Sequence, residues 1–273
     1  MKQTSGRRAQ DLLRTAARTF PASDLALWAA GATFFGMLGL VPLALVALWS
    51  AAALVGPGVV LDGMDTAVSG LPAGHGTAAA LHTLTSTAVR MSWLQALVAL
   101  FPASLYGEGL RRAFLQLTPG QDRFTGWRGR LGLLVLAVAA PVLVLALLAA
   151  APLVAPMYSA GGGRLLLGIV IAFHVVWILV STALVLIFQF VAAGHIRLRA
   201  LFAGGFGTGA VLSGFLQGFL LFLAIPVNWS APFGGLPGFG AVAALGFWLY
   251  LLHLVVLVGF RVTLVISGDT GGG

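Results

Sequence analysis

Uncharged, strongly apolar runs divide this chain into segments long enough to cross a lipid bilayer. Residues 25–61, 131–163 and 165–194 contain no Asp, Glu, Lys or Arg, and residues 200–260 form a fourth run of 61 residues without a charge. Because a membrane helix needs about 20 apolar residues, the fourth run predicts two crossings. The stretch VNWSAPFGGLPG at 227–238 indicates the turn between them, since its prolines and glycines interrupt a helix.

A shorter apolar run, residues 91–107, makes one more crossing if its polar end extends into the membrane interface. The pattern therefore predicts an all-α integral membrane protein built as a bundle of six transmembrane helices. The predicted spans cover about residues 26–55, 92–112, 131–156, 165–193, 200–226 and 239–266.

Basic residues predict the orientation of this bundle, because loops rich in Lys and Arg stay in the cytoplasm. With six spans, 13 of the 15 basic residues fall on one side, and only Arg90 and Arg164 fall on the other. Both termini are therefore expected in the cytoplasm.

The segments outside the spans carry weaker patterns. Residues 5–20 place arginines on one helical face and apolar residues on the other, which predicts an amphipathic helix in the membrane interface; a solvated arm is the alternative. The outer segment 56–90 is expected to be irregular in its first half and a surface helix over 77–90. We divide the chain into a basic cytoplasmic segment, 1–24, a membrane domain, 25–267, and a glycine-rich tail, 268–273.

Composition supports lipid as the main solvent of the chain. The sequence is 59% hydrophobic and 8% charged, with a mean hydropathy of +1.02, whereas soluble domains carry about 25% charged residues. The isoelectric point of about 11.5 does not indicate nucleic-acid binding, because the arginines lie at span boundaries rather than on one soluble face. We expect membrane lipids as partners and no nucleic acid; protein partners and oligomeric state stay open.

Several blocks of the sequence are similar to the YihY/BrkB family of bacterial inner-membrane proteins. AAGATFFGMLGLVPL at Ala29–Leu43 resembles the first span of that family, and LYGEGLRRAF at Leu105–Phe114 resembles its second block. HIRLRALFAGGFGTG at 195–209 and FGAVAALGFWLYLLHLVVLVGFRV at 239–262 follow in the order of the family. The resemblance covers about residues 20–266.

The resemblance implies a six-span protein of the bacterial cytoplasmic membrane that supports envelope integrity, with lipid movement as the suggested activity. The older family label, ribonuclease BN, is regarded as a misassignment, so ribonuclease activity is the least expected function. Many members carry an acid after the final glycine, where this chain has Gly259, Phe260 and Arg261. Any role of that acid is therefore not carried over.

No recognisable catalytic or metal-binding arrangement occurs in the sequence. The five histidines form neither an H-x-H-x-D nor an H-E-x-x-H motif, and G-x-S-x-G is absent. GGFGTG at Gly204–Gly209 lacks the lysine of a nucleotide-binding P-loop, and the absence of cysteine excludes thiolate sites. We expect no enzyme activity, no metal and no cofactor.

Two sets of residues within the spans stand out. Gly205 and Gly209, and then Gly214 and Gly218, follow the small-residue spacing that lets helices approach closely, so we expect them to pack against neighbours. His174, Gln217 and His253 are polar groups in apolar spans, which either line a cavity or form ordinary interhelical hydrogen bonds. Gln217 and His253 lie near the middle of consecutive spans and could share one depth.

The stretch LYGEGLRRAF holds the most informative carboxylate, Glu108. Arg112 lies four residues further on, the favourable acid-before-base spacing on a helix, and Gly107 and Gly109 leave room for a neighbouring backbone. Glu108 is either an interfacial anchor or a charged gate or headgroup contact at a cavity mouth. From the pair alone, exchanging the two charges is expected to restore assembly without restoring function.

These observations favour a transport or lipid-handling role that supports the envelope, without an energy-coupling motif. The alternative is a structural membrane protein that moves nothing and acts through partners or bilayer organisation.

Overall fold

The computed structural model describes residues 22–69, 77–118, 123–160, 162–192, 196–223, 231–235 and 237–268. Within these residues the chain forms eight α-helices: α1 Ala22–Val55, α2 Pro57–Ser69, α3 Thr77–Arg90, α4 Trp93–Leu117, α5 Arg128–Ala160, α6 Gly162–Leu186, α7 Leu198–Leu223 and α8 Pro237–Ser267. Short 3-10 turns, Arg123–Trp127 and Ala231–Phe233, precede α5 and α8, and a π-helical turn, Ile187–Val191, continues α6. The predicted helix at 5–20 lies outside the described residues.

Each predicted span corresponds to one long helix, namely α1 and α4 to α8. Five of these helices are long and apolar enough to cross a membrane, over Leu25–Val55, Thr125–Tyr158, Gly162–Val191, Leu198–Phe219 and Gly238–Ser267. The part of the chain that the structure describes is therefore all-helical, and the protein is a multi-pass membrane protein. Helix α4, at the predicted span 92–112, is not among the five, because polar residues such as Glu108 and Arg111 lower its hydropathy.

Helix α4 packs between α1 and α5, and its two halves have different surroundings. Its N-terminal half exposes large apolar side chains, including Trp93, Val98 and Phe101. Its C-terminal half is mostly buried, from Gly107 to Leu115, with Arg112 as the exposed exception. Glu108 and Arg111 of α4 therefore lie where neighbouring helices cover them.

Long helices that follow one another along the chain run antiparallel. Along α4, Gly109 lies against Phe35 of α1, whereas Tyr106 and Pro102 lie against Gly39 of α1. The two helices therefore run in opposite directions. The same holds for α5 and α6, where Gly132 meets Phe190 at one end and Met157 meets Gly168 at the other. In α6 and α7, Val185 lies against Gly205 and Ser181 against Gly209.

One end of the bundle, which we call the basic end, brings together the C-terminal ends of α4, α6 and α8 and the beginnings of α5 and α7. The Arg261 Nη1 donates to the Leu117 carbonyl oxygen at 3.0 Å, which joins α8 to the end of α4. The Arg197 N–H donates to the Ser267 hydroxyl at 3.2 Å, which joins the start of α7 to the end of α8. Arg90 and Arg164 belong to the opposite end, where α3 finishes and α6 begins.

Three phenylalanines form the centre of the core near the basic end. The ring of Phe114 on α4 lies 4.5 Å from that of Phe260 on α8 and 5.9 Å from that of Phe188 on the π-helical turn, between ring centroids. All three side chains are fully buried. Outside the core, large apolar side chains such as Val138 and Leu166 are exposed, as expected for a surface that faces lipid.

Residues Pro57–Ser69 of the outer segment form a helix, which corrects the irregular structure expected there, whereas residues 70–76 lie outside the described residues. Gly56 ends α1 with a φ of 96°, a conformation that favours glycine, and Pro57 starts α2. The buried Val60 packs with Ala52 of α1 and Leu148 of α5. This tertiary packing stabilises a helix although the sequence DGMD at 62–65 favours a turn. The expected helix at 77–90 is present as α3.

Candidate functional site

The Glu108 carboxylate is held between two arginines at the basic end of the bundle. The Arg112 Nε donates to Glu108 Oε1 at 3.0 Å, and its Nη2 to the same oxygen at 2.5 Å. The Arg130 Nε and Nη2 both lie 2.6 Å from Glu108 Oε2. Only 8% of Glu108 is exposed, so a buried anion is balanced by two partly exposed cations.

The two arginines reach Glu108 for different reasons. Arg112 is the partner at i+4 that the sequence spacing predicts. Arg130 belongs to α5, 22 residues along the chain, and sequence reasoning treated it only as part of a basic loop. The sequence does hold one signal for the pairing of Glu108 with Arg130. Each of these residues directly follows a glycine, Gly107 or Gly129, and glycine allows close approach of two helices.

These two glycines bring the backbones of α4 and α5 together. A Cβ added to Gly107 would overlap the Gly129 carbonyl oxygen, and a Cβ added to Gly129 would overlap the Gly107 carbonyl oxygen. Gly109 similarly has no room for a side chain because it faces Phe35 of α1. Gly107 thus admits a neighbouring backbone, as expected from the sequence, whereas Gly109 admits the Phe35 side chain instead.

Arg111 is buried and serves a different purpose from its neighbour Arg112. Its Nη1 donates to the carbonyl oxygens of Val191 and Ala192 at 3.0 and 3.1 Å, at the end of the π-helical turn. Its Nε and Nη2 donate to the carbonyl and hydroxyl oxygens of Thr125 at 2.8 and 3.2 Å. Arg111 therefore ties α4 to the turn before α5 and to the end of α6, a role that sequence reasoning missed.

His253 lies inside the bundle and joins three helices. Its Nδ1 is 2.7 Å from the Leu249 carbonyl oxygen and 3.1 Å from the Thr33 Oγ1 on α1, and its Nε2 is 3.1 Å from the Tyr106 hydroxyl on α4. A carbonyl can only accept, so Nδ1 carries the hydrogen of the neutral ring and Nε2 accepts from Tyr106. Sequence reasoning did not single out Tyr106 or Thr33.

The other polar residues predicted for a cavity, His174 and Gln217, make no hydrogen bond to Glu108 or His253 within the described residues. His174 of α6 is exposed, its Nδ1 lies 2.7 Å from the Val170 carbonyl oxygen, and its ring is next to that of Trp177. Gln217 of α7 is half-buried, and the hydrogen bonds of His253 go to α1, α4 and its own helix. The structure thus groups His253 with Tyr106 and Thr33 rather than with Gln217.

The four glycines predicted for packing divide into two pairs. Gly205 lies against Val185 and Gly209 against Ser181, both on α6. At Gly214 and Gly218, an added Cβ would meet no atom within 4 Å in the described part of the chain. A second close interface of α7 involves Gly204, which faces Thr263 of α8.

The described residues include a concave surface away from these sites and no grouped metal ligands. No set of three His, Asp or Glu side chains within the described ranges could hold a metal ion. A shallow groove of about 440 Å³ lies between α1 and α3, lined by Leu45, Ala79, Ala80, Thr83, Leu84 and Thr87. This groove carries no charged side chain and is separate from Glu108 and His253.

Comparison with known proteins gives one match. The model of a family described as Virulence factor BrkB matches residues 16–272, nearly the whole chain. Neither the curated proteins nor the solved structures contain a significant match to this sequence.

Proposed function

This chain belongs to the BrkB family, and on that premise we propose that it handles or moves lipids in the bacterial cytoplasmic membrane and so supports the cell envelope. The observation that carries the proposal is the pair of buried polar sites that meet on α4, Tyr106 with His253 and Glu108 with its two arginines. Polar and ionised groups at membrane depth are costly and usually mark a functional path.

The proposal includes six crossings, with α4 as the sixth. Helix α4 has 25 residues, which gives it a length of about 37 Å, enough for a bilayer core of about 30 Å. It runs antiparallel to α1, which is apolar enough to span. Near one end, the Trp49 Nε1 of α1 donates to the Met91 carbonyl oxygen just before α4. Near the other end, Phe35 of α1 contacts Gly109 of α4. The exposed side chains in the N-terminal half of α4 are mostly apolar, and Glu108 and Arg111 in its C-terminal half are buried.

Six crossings place both termini on the basic end, in the cytoplasm under the positive-inside rule. Fusions of a fluorescent protein and of alkaline phosphatase to each terminus test this arrangement. We expect fluorescence and no phosphatase activity from both ends. Phosphatase activity at the C-terminus alone would mean that α4 does not cross.

The chain carries no nucleotide-binding motif that could supply energy. Under this proposal, lipid moves down its own gradient, or the movement is driven by an ion or by a partner protein. The translocation test uses the full chain in vesicles with labelled phospholipid in one leaflet. We expect faster exchange between leaflets than in protein-free vesicles, and a slower rate with Glu108→Gln at equal protein density.

A structural role is the second candidate function. Its support comes from the contacts of α4 at Gly39, Gly107 and Gly109, which leave no gap toward α1 or α5 for a lipid chain. Under this alternative, the buried polar groups only hold helices together. The absence of protein-dependent exchange under every gradient tested would favour it over lipid movement.

A further inference from the structure

We propose that Arg112 and Arg130 form a binding site for the phosphate of an anionic phospholipid headgroup, and that Glu108 positions them for it. This inference deepens the proposed lipid-handling function by naming the headgroup class and the side chains that bind it. Binding can be measured without any translocation, so the two proposals can fail separately.

The geometry leaves hydrogen-bond donors available on both arginines. Each guanidinium carries five N–H donors and engages Glu108 only through Nε and Nη2. The Nη1 groups make no hydrogen bond within the described residues. The side chains of Arg112 and Arg130 are 57% and 37% exposed, whereas that of Glu108 is 11% exposed. The carboxylate therefore lies behind two cations whose outer edges are accessible.

The charge of the cluster favours an anion. One carboxylate and two guanidinium groups leave a net positive charge, and no other carboxylate contacts Arg112 or Arg130 in the described part of the chain. Since both guanidinium groups bind one carboxylate, they lie close enough together to contact one further small anion. A planar guanidinium matches the oxygens of a phosphate through paired hydrogen bonds.

The surroundings favour a lipid as the source of that phosphate. The Arg130 guanidinium lies 5.8 Å from the ring centre of Phe101, and that of Arg128 lies 5.7 Å from the ring centre of Trp127. Both aromatic side chains are more than half exposed. Tryptophan is enriched in the headgroup region, which is the level that Trp127 beside Arg128 indicates for this end of the bundle. Exposed Val98 of α4 and Leu134 of α5 continue the apolar surface that acyl chains would cover.

Two explanations of anion binding make opposite predictions for Glu108. If basic residues attract lipid only through their total charge, Glu108→Gln removes a negative charge and should strengthen binding. If the carboxylate holds both guanidinium groups in place, Glu108→Gln should weaken binding although the net charge rises. Glu108 is thus a positioning residue rather than a ligand.

The experiment measures binding of short-chain phosphatidylglycerol to the purified full-length protein in a neutral detergent. Short-chain phosphatidylcholine and inorganic phosphate serve as separate probes. Variants are Glu108→Gln, the double substitution of Arg112→Gln with Arg130→Gln, and the same pair changed to Lys. Arg164→Gln is the matched control, because it removes one exposed arginine from the opposite end.

We expect phosphatidylglycerol to bind the native chain more tightly than either other probe. The double Gln variant should lose about tenfold or more in affinity, and Glu108→Gln should lose several-fold. The double Lys variant keeps the charge but not the paired donors, so it should also bind more weakly. The double Lys variant tests the proposal if the Gln variants fail to fold. Arg164→Gln should bind phosphatidylglycerol as tightly as the native chain does.

Equal or tighter binding by Glu108→Gln would overturn the positioning role. Equal binding of inorganic phosphate and phosphatidylglycerol would show a site for free anions and overturn the lipid assignment. Equal losses per charge removed in Arg164→Gln and in the double Gln variant would mean that the binding is diffuse. A positive binding result without lipid exchange in vesicles would leave this site intact and refute only lipid movement.

Discussion

Gly107 of α4 and Gly129 of α5 face each other so closely that neither position has room for a side chain. This contact places Arg130 beside Glu108, because each charged residue directly follows one of the two glycines. The close approach of two backbones is thus the physical cause of the ion pairs between α4 and α5.

Substitution of Gly107→Ala should therefore destabilise the protein. A methyl group at this contact must push the helices apart, and overpacking typically costs about 1–3 kcal/mol. Thermal unfolding in detergent measures the effect. Gly207→Ala is the control, since an added Cβ there meets nothing within 4 Å and alanine favours a helix. Equal stability of the two variants would contradict the close interface.

Arg111 should matter more for stability than Arg128, an exposed arginine at the same end of the bundle. Arg111→Gln leaves the carbonyl oxygens of Val191 and Ala192 without their donor, and we expect a loss of about 3 kcal/mol. Arg128→Gln, which changes the charge equally at an exposed position, should stay within about 0.5 kcal/mol of the native chain. Similar losses in both variants would show that Arg111 acts through charge rather than through these bonds.

The hydrogen bond of Tyr106 to His253 can be measured with a double-mutant cycle. Tyr106→Phe and His253→Leu should show a coupling free energy of about 0.6–1.7 kcal/mol, the range of interhelical bonds in membranes. Gln217→Leu with His253→Leu should be additive, because His253 bonds to Tyr106 and Thr33. A larger coupling free energy between Gln217 and His253 than between Tyr106 and His253 would contradict this expectation. It would favour the pairing of Gln217 with His253 that the sequence suggests.

Sequence reasoning predicted those parts of the molecule that follow from local chemistry. The apolar runs located the long helices, and the i,i+4 spacing located the pair of Glu108 with Arg112 because both partners lie on one helix. Arg130 and Tyr106 were missed as site residues, since their roles depend on which helices become neighbours. A single sequence does not determine that choice.

The remaining differences have the same cause. The turn-forming residues of α2 suggested irregular structure, but burial of Val60 against α1 and α5 stabilises a helix there. His174 and His253 have the same side chain in similarly apolar spans, yet one is exposed and the other is buried. The two histidines differ because the rotation of a helix about its axis determines which side chains face the bundle and which face lipid. Helix packing sets this rotation.

Exchange of the charges at Glu108 and Arg112 tests the ion cluster most directly. From the pair alone, Glu108→Arg with Arg112→Glu should restore assembly. The structure predicts otherwise, because Arg130 also binds the Glu108 carboxylate. The exchange would place the new arginine at position 108 beside Arg130 in a partly buried position. The exchanged protein should therefore be less stable than Glu108→Gln.

Adding Arg130→Glu to this exchange should recover stability. The cluster would again hold one central charge between two opposite charges, with every sign reversed. Thermal unfolding and protein abundance in membranes measure this recovery, and an unstable triple variant would show that the arginine geometry itself is required. Phosphatidylglycerol binding should stay lost in the stable triple variant, because its outer charges are now negative and repel a phosphate. Recovered stability without recovered binding would separate the structural role of the cluster from its role toward lipid.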